Sequence, residues 1–296
     1  MNDDPILASA GSRPRRDRLR LACSITLWSL YSLILFVRPQ SWPLPKLSTW
    51  TDQLQRAIRE MIEAAVAFLG VERVTFEIRW AIYFVLAAGV IPWAVLALAR
   101  RGRPYNLGFR LPNRIGWRII AVGWLLAFPF QLWMIKGASF ADYYRPQLER
   151  SGGLVFLSYY AAVILAEHFY FHGFLLATCR SGGSWPGPAT VVPPGGGLRV
   201  SVLQWLGLCQ PVDGATGTAK LTRWIGLQDR CLLPILVSVL LFAAVHLGKD
   251  PRELALSLPG GIALGYVSYR TNTWFIPFLL HALNAGTACA LMLLLV

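Results

Sequence analysis

The sequence predicts an all-α membrane protein, with about seven or eight helices crossing a bilayer around a polar chamber. Three observations lead there. The 296-residue chain is 55% apolar with a mean hydropathy of +0.48, which is too hydrophobic for an ordinary soluble domain. Several apolar runs reach roughly 17 to 25 residues, where ~20 suffice to cross ~30 Å of hydrocarbon. Finally, all four histidines (His168, His172, His246 and His281) lie in apolar segments of the second half, with Glu167 the one acidic residue in those segments' cores. Ionisable groups in such places cost several kcal/mol unless paired or hydrated, so their concentration there demands a reason.

In chain order, residues 1–20 are a basic tail (RPRRDRLR at 13–20), and the apolar run from Leu21 to Val37 is the first span. No small-residue cleavage pattern follows that run, so it reads as an uncleaved span rather than a signal peptide. The loop at 38–78 starts Pro-rich. From Trp50 to Leu69 it places Leu54, Ile58, Met61, Ile62, Ala65 and Phe68 at helical spacing, which predicts an amphipathic helix lying on the membrane or packed as a lid. Trp80 to Ala99 is the second span, followed by a strongly basic loop, and Ile119 to Ile135 is the third. The fourth, about Leu154 to Cys179, carries EHFYFHGFL at 167–175.

Residues 180–230 are a Gly/Pro-rich insert that reads as irregular, with short interfacial helices around Leu198–Leu208 and Leu221–Leu227. Cys231 to Leu247, Leu254 to Tyr269 and Trp274 to Leu295 are the fifth, sixth and seventh spans, and no internal repeat is evident. The division is therefore a tail at 1–20, N-terminal membrane helices at 21–150 and a functional core at 151–296. Trp80 and Trp274, at span ends, read as interface anchors, and Arg270 as a loop-end charge.

A net charge of +13 invites a nucleic-acid partner, but the basic residues sit between apolar spans rather than in one block. That pattern fits loops facing anionic lipid. With the N-terminus inside, about 17 of the 28 Lys and Arg residues fall inside and about 11 outside, which favours a cytoplasmic N-terminus. The expected setting is the inner membrane of a bacterium, with anionic lipid as a partner and nucleic acid excluded. The five cysteines show no CxxC or metal-ligand spacing, and four of them read as small hydrophobes in or beside spans.

Three pieces carry the chemistry. Glu167-His168 and His172-Gly173 lie on span four, with His168 and His172 four apart and hence on one helix face. Phe242-Ala-Ala-Val-His246 ends span five. His281 and Asn284 share a face of span seven. Imidazoles at i and i+4 can reach one metal ion, and a carboxylate beside a bound water can activate it for hydrolysis and return its proton to a leaving amine. A histidine alone in a span is as readily a helix–helix hydrogen bond. Phe169, Tyr170 and Phe171 read as packing or lipid-facing.

Together these pieces resemble the signature of the CPBP intramembrane proteases, which include the CAAX prenyl endopeptidases: EExxxRG, then FxxxH, then HxxxN. The run GGIALGYVSYRTNTWFIPFLLHALNA at 260–285 is similar to the family's linking stretch, and the matches cover roughly residues 155–295. The resemblance implies an intramembrane endopeptidase acting on a membrane protein or peptide near a chain terminus. It implies Glu167 as the carboxylate that activates water, with His246 and His281 positioning that water or binding zinc. A three-histidine zinc site would add one of His168 or His172. CAAX-like C-termini and bacterial C-terminal sorting helices are the two substrate classes implied. Departures mark a divergent subgroup: His168 stands for the second Glu, His172 for the Arg, and Asn284 falls at i+3 with Ala285 at i+4. A scaffold or immunity factor that keeps the fold without catalysis is the alternative from another class.

Overall fold

The computed structural model describes residues 13–36, 45–68, 76–99, 107–178, 232–247 and 249–295. The insert at 180–230, with its two expected short helices, lies outside the described residues, as does the first part of the basic tail. Among the described residues every regular element is a helix.

The first helix, α1 (Arg13–Phe36), starts inside the basic tail, so the Arg-rich stretch and the apolar run are one continuous rod. The amphipathic segment forms α2 (Pro45–Phe68), beginning five residues before Trp50. It lies against α1 and α3, with Gln55 Nε2 donating to Ile34 O at 2.8 Å and Arg79 pairing with Glu63 at 2.9 Å, and it leaves Trp50 and Met61 exposed. Phe76–Val85, a π-helical turn Leu86–Val90 and Ile91–Ala99 make one rod, α3.

Asn113 starts α4 (Arg114–Ile135) by accepting a bond from Gly116 N at 2.9 Å, which satisfies one of the donors that every helix start leaves open. A short turn then leads to α5 (Ala138–Ser151). Span four is α6, made of Gly153–His168, a π-helical turn Phe169–Leu175 and Leu176–Thr178. The remaining helices are α7 (Leu232–Ala244), α8 (Pro251–Thr271) and α9 (Phe275–Leu295).

Four helical stretches among the described residues are long and apolar enough to cross a membrane: Ile78–Leu98, Arg114–Ile135, Gly153–Thr178 and Phe275–Leu295. The apolar parts of α1 and α7 are shorter, and α8, with Pro259 and three glycines inside, packs on α7. Leu125, Leu126, Phe130, Leu154, Leu240 and Leu294 are all exposed; water would penalise so many exposed large apolar side chains, whereas lipid would not. The protein is a polytopic helical membrane protein.

Two glycines set the closest helix pair. A Cβ at Gly116 would lie 2.7 Å from Ile276 Cδ1, and one at Gly123 would lie 2.7 Å from Leu280 Cδ2, so α4 and α9 approach through the missing side chains. Two aromatic clusters fill the interior. Trp28, Phe36, Phe84, Tyr170, Phe174 and Phe242 tie α1, α3, α6 and α7 together. Ile135, Phe140, Tyr144, Phe156 and Met292 tie α5 to α4, α6 and α9.

The turn between α8 and α9 is held from outside. Asn272 closes α8 in the left-handed conformation at φ 54°, which Asn tolerates better than most residues. Thr273 Oγ1 donates to Arg110 O at 2.9 Å, and Trp274 N donates to Gly108 O at 3.3 Å. The stretch before α4 thereby clamps the start of the helix that carries His281.

Candidate active site

Glu167 and His168 are the last residues of regular α-helix before the π turn begins at Phe169. A π turn widens the helix and leaves carbonyls without their usual partners, and in hydrocarbon each such group is expensive. Two serines on neighbouring helices answer this. Ser238 Oγ donates to Phe171 O, and Ser268 Oγ donates to His172 O, both at 2.7 Å and buried. The distortion is thus supported by α7 and α8 and fixes where the two histidines project. Tyr170 and Phe171 are buried packing residues, and Phe169 sits edge-on to Trp274.

The four imidazoles converge on one ring, that of Phe242. The ring centroids of His246, His172, His168 and His281 lie 4.8, 5.5, 6.3 and 6.3 Å from it. Phe242 is itself 3% exposed. Its place four residues before His246 is explained by that packing: it is the post around which α6, α7 and α9 set their histidines.

His168 and His172 share a face, as their spacing requires, with rings stacked at 4.7 Å and 22°. His168 Nε2 and His281 Nδ1 are 2.8 Å apart, so α6 and α9 are joined by an imidazole–imidazole hydrogen bond. Among the described residues His168 Nδ1 has no hydrogen-bond partner. An orphaned acceptor is easier to tolerate than an orphaned N–H, which assigns the proton of His168 to Nε2 as donor. His281 Nδ1 then accepts, and the His281 proton sits on Nε2. His172 is wholly buried, and neither ring nitrogen makes a hydrogen bond of good geometry. A Cβ at Gly265 would come within 3.6 Å of its Cδ2, so α8 backs its ring closely.

His246 has the opposite tautomer. Its Nδ1 lies 2.7 Å from Phe242 O; a carbonyl only accepts, so the proton is on Nδ1 and Nε2 carries the lone pair. The site therefore presents one imidazole that accepts and one that donates.

Glu167 is 6% exposed, and among the described residues its carboxylate accepts no hydrogen bond and makes no ion pair. It lies within electrostatic reach of Lys249 and Glu253. Lys249 Nζ is 2.8 Å from Glu253 Oε1, and Tyr144 OH donates to Glu253 Oε2 at 2.9 Å. Burial alone would push Lys249 down, but the Glu253 carboxylate outweighs it and holds its pKa above the usual lysine value. Asn284 Oδ1 accepts from Gln131 Nε2 on α4, so Asn284 is oriented from a helix outside the three motifs.

Among the described residues no group of three or more His, Cys, Asp or Glu side chains is arranged to hold a metal ion. Nδ1 of both His246 and His281 is engaged, which leaves Nε2 as the nitrogen that either could offer a metal.

Residues 150–287 match the family described as Type II CAAX prenyl endopeptidase Rce1-like. The match supports the CPBP/CAAX protease family for this stretch. No curated protein and no solved structure matches the chain. The matched region contains Glu167, His246, His281 and Asn284, together with the substituted His168 and His172.

Trp274 corrects one sequence expectation. It is no interface anchor: it is 5% exposed and stacked over Gly173, where a Cβ would lie 2.7 Å from its Cδ1. Sequence reasoning also passed over Tyr144, Lys249, Glu253 and Gln131. Lys249 and Glu253 look like loop charges beside a helix start, and nothing local marks Gln131 or Tyr144 as inward-facing. The one signal was the i, i+4 spacing of Lys249 and Glu253 directly after the FxxxH motif.

Proposed function

We propose that this protein is an intramembrane endopeptidase in which Glu167 activates water to cleave a peptide bond near the C-terminus of a membrane-embedded or membrane-proximal substrate. One observation carries the reading: among the described residues the buried Glu167 carboxylate has no hydrogen-bond or ion-pair partner, and it lies within electrostatic reach of the Lys249–Glu253 pair that adjoins His246. Such a carboxylate needs a hydrogen-bond donor, and a water molecule is the donor that hydrolysis requires.

In this mechanism the water donates to Glu167 and to the His246 Nε2 lone pair. Glu167 takes one proton as the water oxygen bonds to the peptide carbonyl carbon. The His281 Nε2–H, held in place by His168, faces the developing oxyanion, and Asn284 supports it from the same helix face. The C–N bond breaks as the proton passes from Glu167 to the leaving amine. No step requires a metal. Family membership favours CAAX-like C-termini as the substrate class, with sorting helices of bacterial proteins as the second class.

The test compares wild type with Glu167→Gln in cells, reading membrane-protein C-termini by mass spectrometry. A defined set of C-terminal fragments should vanish in the variant while the protein stays folded and abundant. A variant indistinguishable from wild type, where deletion has a phenotype, overturns catalysis and leaves the scaffold reading, which the replacement of the family's Glu and Arg by His168 and His172 favours.

A further inference from the structure

Gln131 is a buried amide near the end of an apolar span, 4% exposed, on α4 and outside the matched stretch. Its Nε2 donates to Asn284 Oδ1 on α9. Its own Oε1 is buried and, among the described residues, has no hydrogen-bond partner. Turning the amide over would put the NH2 group in that place with its N–H bonds unmet, and an orphaned N–H is costlier than an orphaned acceptor. The orientation with Nε2 toward Asn284 is therefore the stable one. It commits Asn284 Oδ1 as an acceptor and leaves Nδ2, on a half-buried side chain, as the end that donates.

The seam between α4 and α9 brings the two amides together. The missing side chains of Gly116 and Gly123 admit Ile276 and Leu280, and Asn284 is the next residue in that four-residue series along α9. His281, three residues earlier, shares a face with Asn284, so whatever sets Asn284 acts beside the ring that meets the substrate in the mechanism above. An amide with one end satisfied and the other orphaned is a costly way to join two helices, because an apolar side chain of the same size would pack there without the orphan. What the amide adds over such a side chain is control of which way Asn284 faces.

We propose that Gln131 is a positioning residue for cleavage: it fixes the Asn284 amide so that Nδ2–H, and not Oδ1, meets the substrate carbonyl oxygen as negative charge gathers on it. This rests on the hydrolase reading above. It deepens that reading by giving the site a contribution from α4, a helix that holds none of the three motifs. An Asn284 amide free to turn over would present Oδ1 as well, and an acceptor at that place repels the oxyanion that a donor stabilises. The departure in the third motif is then met from α4. Asn284 stands at i+3 from His281 rather than i+4, a displacement of about 100° around the helix, and Gln131 holds the displaced amide.

The experiment uses the full chain in lipid vesicles with a farnesylated CAAX-type peptide reporter, measuring kcat, KM and thermal unfolding. Gln131→Met keeps the volume and removes the donor. It should lower kcat on the order of 10-fold with KM within about threefold, and unfold no earlier than wild type because the orphaned acceptor is gone. Asn284→Ala should lower kcat at least as far. Adding Gln131→Met to it should change kcat by less than about twofold, since Gln131 acts through that amide. A wild-type rate from Gln131→Met overturns this role, and so do losses that multiply in the double variant. A Gln131→Met protein that unfolds earlier than wild type overturns it as well, because the pair then serves folding. If the reporter stays intact with wild type, or is cleaved equally by Glu167→Gln, the hydrolase reading falls first.

Discussion

His168 on α6 and His281 on α9 are joined by a 2.8 Å hydrogen bond between their rings, at positions where the family pattern has a glutamate and a histidine. The variant motif therefore keeps a side chain that fixes the tautomer of His281, with imidazole replacing carboxylate. His168→Gln retains an N–H that can reach His281 Nδ1 and should preserve at least a tenth of the activity. His168→Ala should lose far more and unfold earlier by about 2–4 kcal/mol, the sum of a buried cavity and a freed acceptor. Activity and thermal unfolding of the two variants side by side check this; equal losses would show that volume, not the donor, matters.

The π turn makes its own prediction. Ser238 and Ser268 each donate to a buried carbonyl that the turn leaves open. Ser238→Ala and Ser268→Ala should each cost about 1–3 kcal/mol. Changing both should cost more than the sum if the turn then reverts to regular α-helix and rotates His172 away. Unfolding of the singles and the double closes that cycle.

Much of this site was legible in the sequence because a membrane interior makes ionisable residues conspicuous. Glu167, His246 and His281 stand out against apolar runs, and the structure gathers the histidines around Phe242. The helix Ala138–Ser151 was not legible: its tyrosines, charges and Pro146 form no apolar run, and its inward face shows only once Phe140, Tyr144 and Leu148 are seen packed against the neighbouring helices. The π turn was illegible as well, since the residues that support it lie 67 and 96 positions away. Spans five and six were read by apolar length, whereas α7 is 13 residues long and α8, which packs on it, carries Pro259 and three glycines. Trp274 reads as an anchor only until Gly173 is seen beneath it.

That contact yields a sharp test. A methyl group at residue 173 would sit 2.7 Å from Trp274 Cδ1, 3.1 Å from Cγ and 3.2 Å from Nε1, and a buried indole has little room to withdraw. Gly173→Ala should destabilise by about 1–3 kcal/mol through overpacking and reduce activity by displacing His172. Trp274→Phe combined with Gly173→Ala should recover part of the stability. A single Gly173→Ala variant as stable as wild type would mean that the two helices separate freely there.

The mechanism also makes a statement about metal. Zinc held by protein needs three converging ligands and an open position, and each ligating imidazole usually anchors its other nitrogen. His246 and His281 do anchor their Nδ1 atoms, which alone would suit ligation, but no third donor is arranged to join them among the described residues. The proposed mechanism leaves the activation of water to Glu167 and the histidines. Prolonged treatment with a strong chelator in vesicles should leave cleavage within about twofold of the untreated protein, and added zinc should not raise it. If chelation abolishes cleavage and zinc restores it, Glu167 acts beside a metal-bound water, and His246 and His281 are ligands whose third partner moves in on binding. A chelator-resistant protein that Glu167→Gln inactivates by 100-fold or more places the whole activation of water on the carboxylate and its imidazole neighbours.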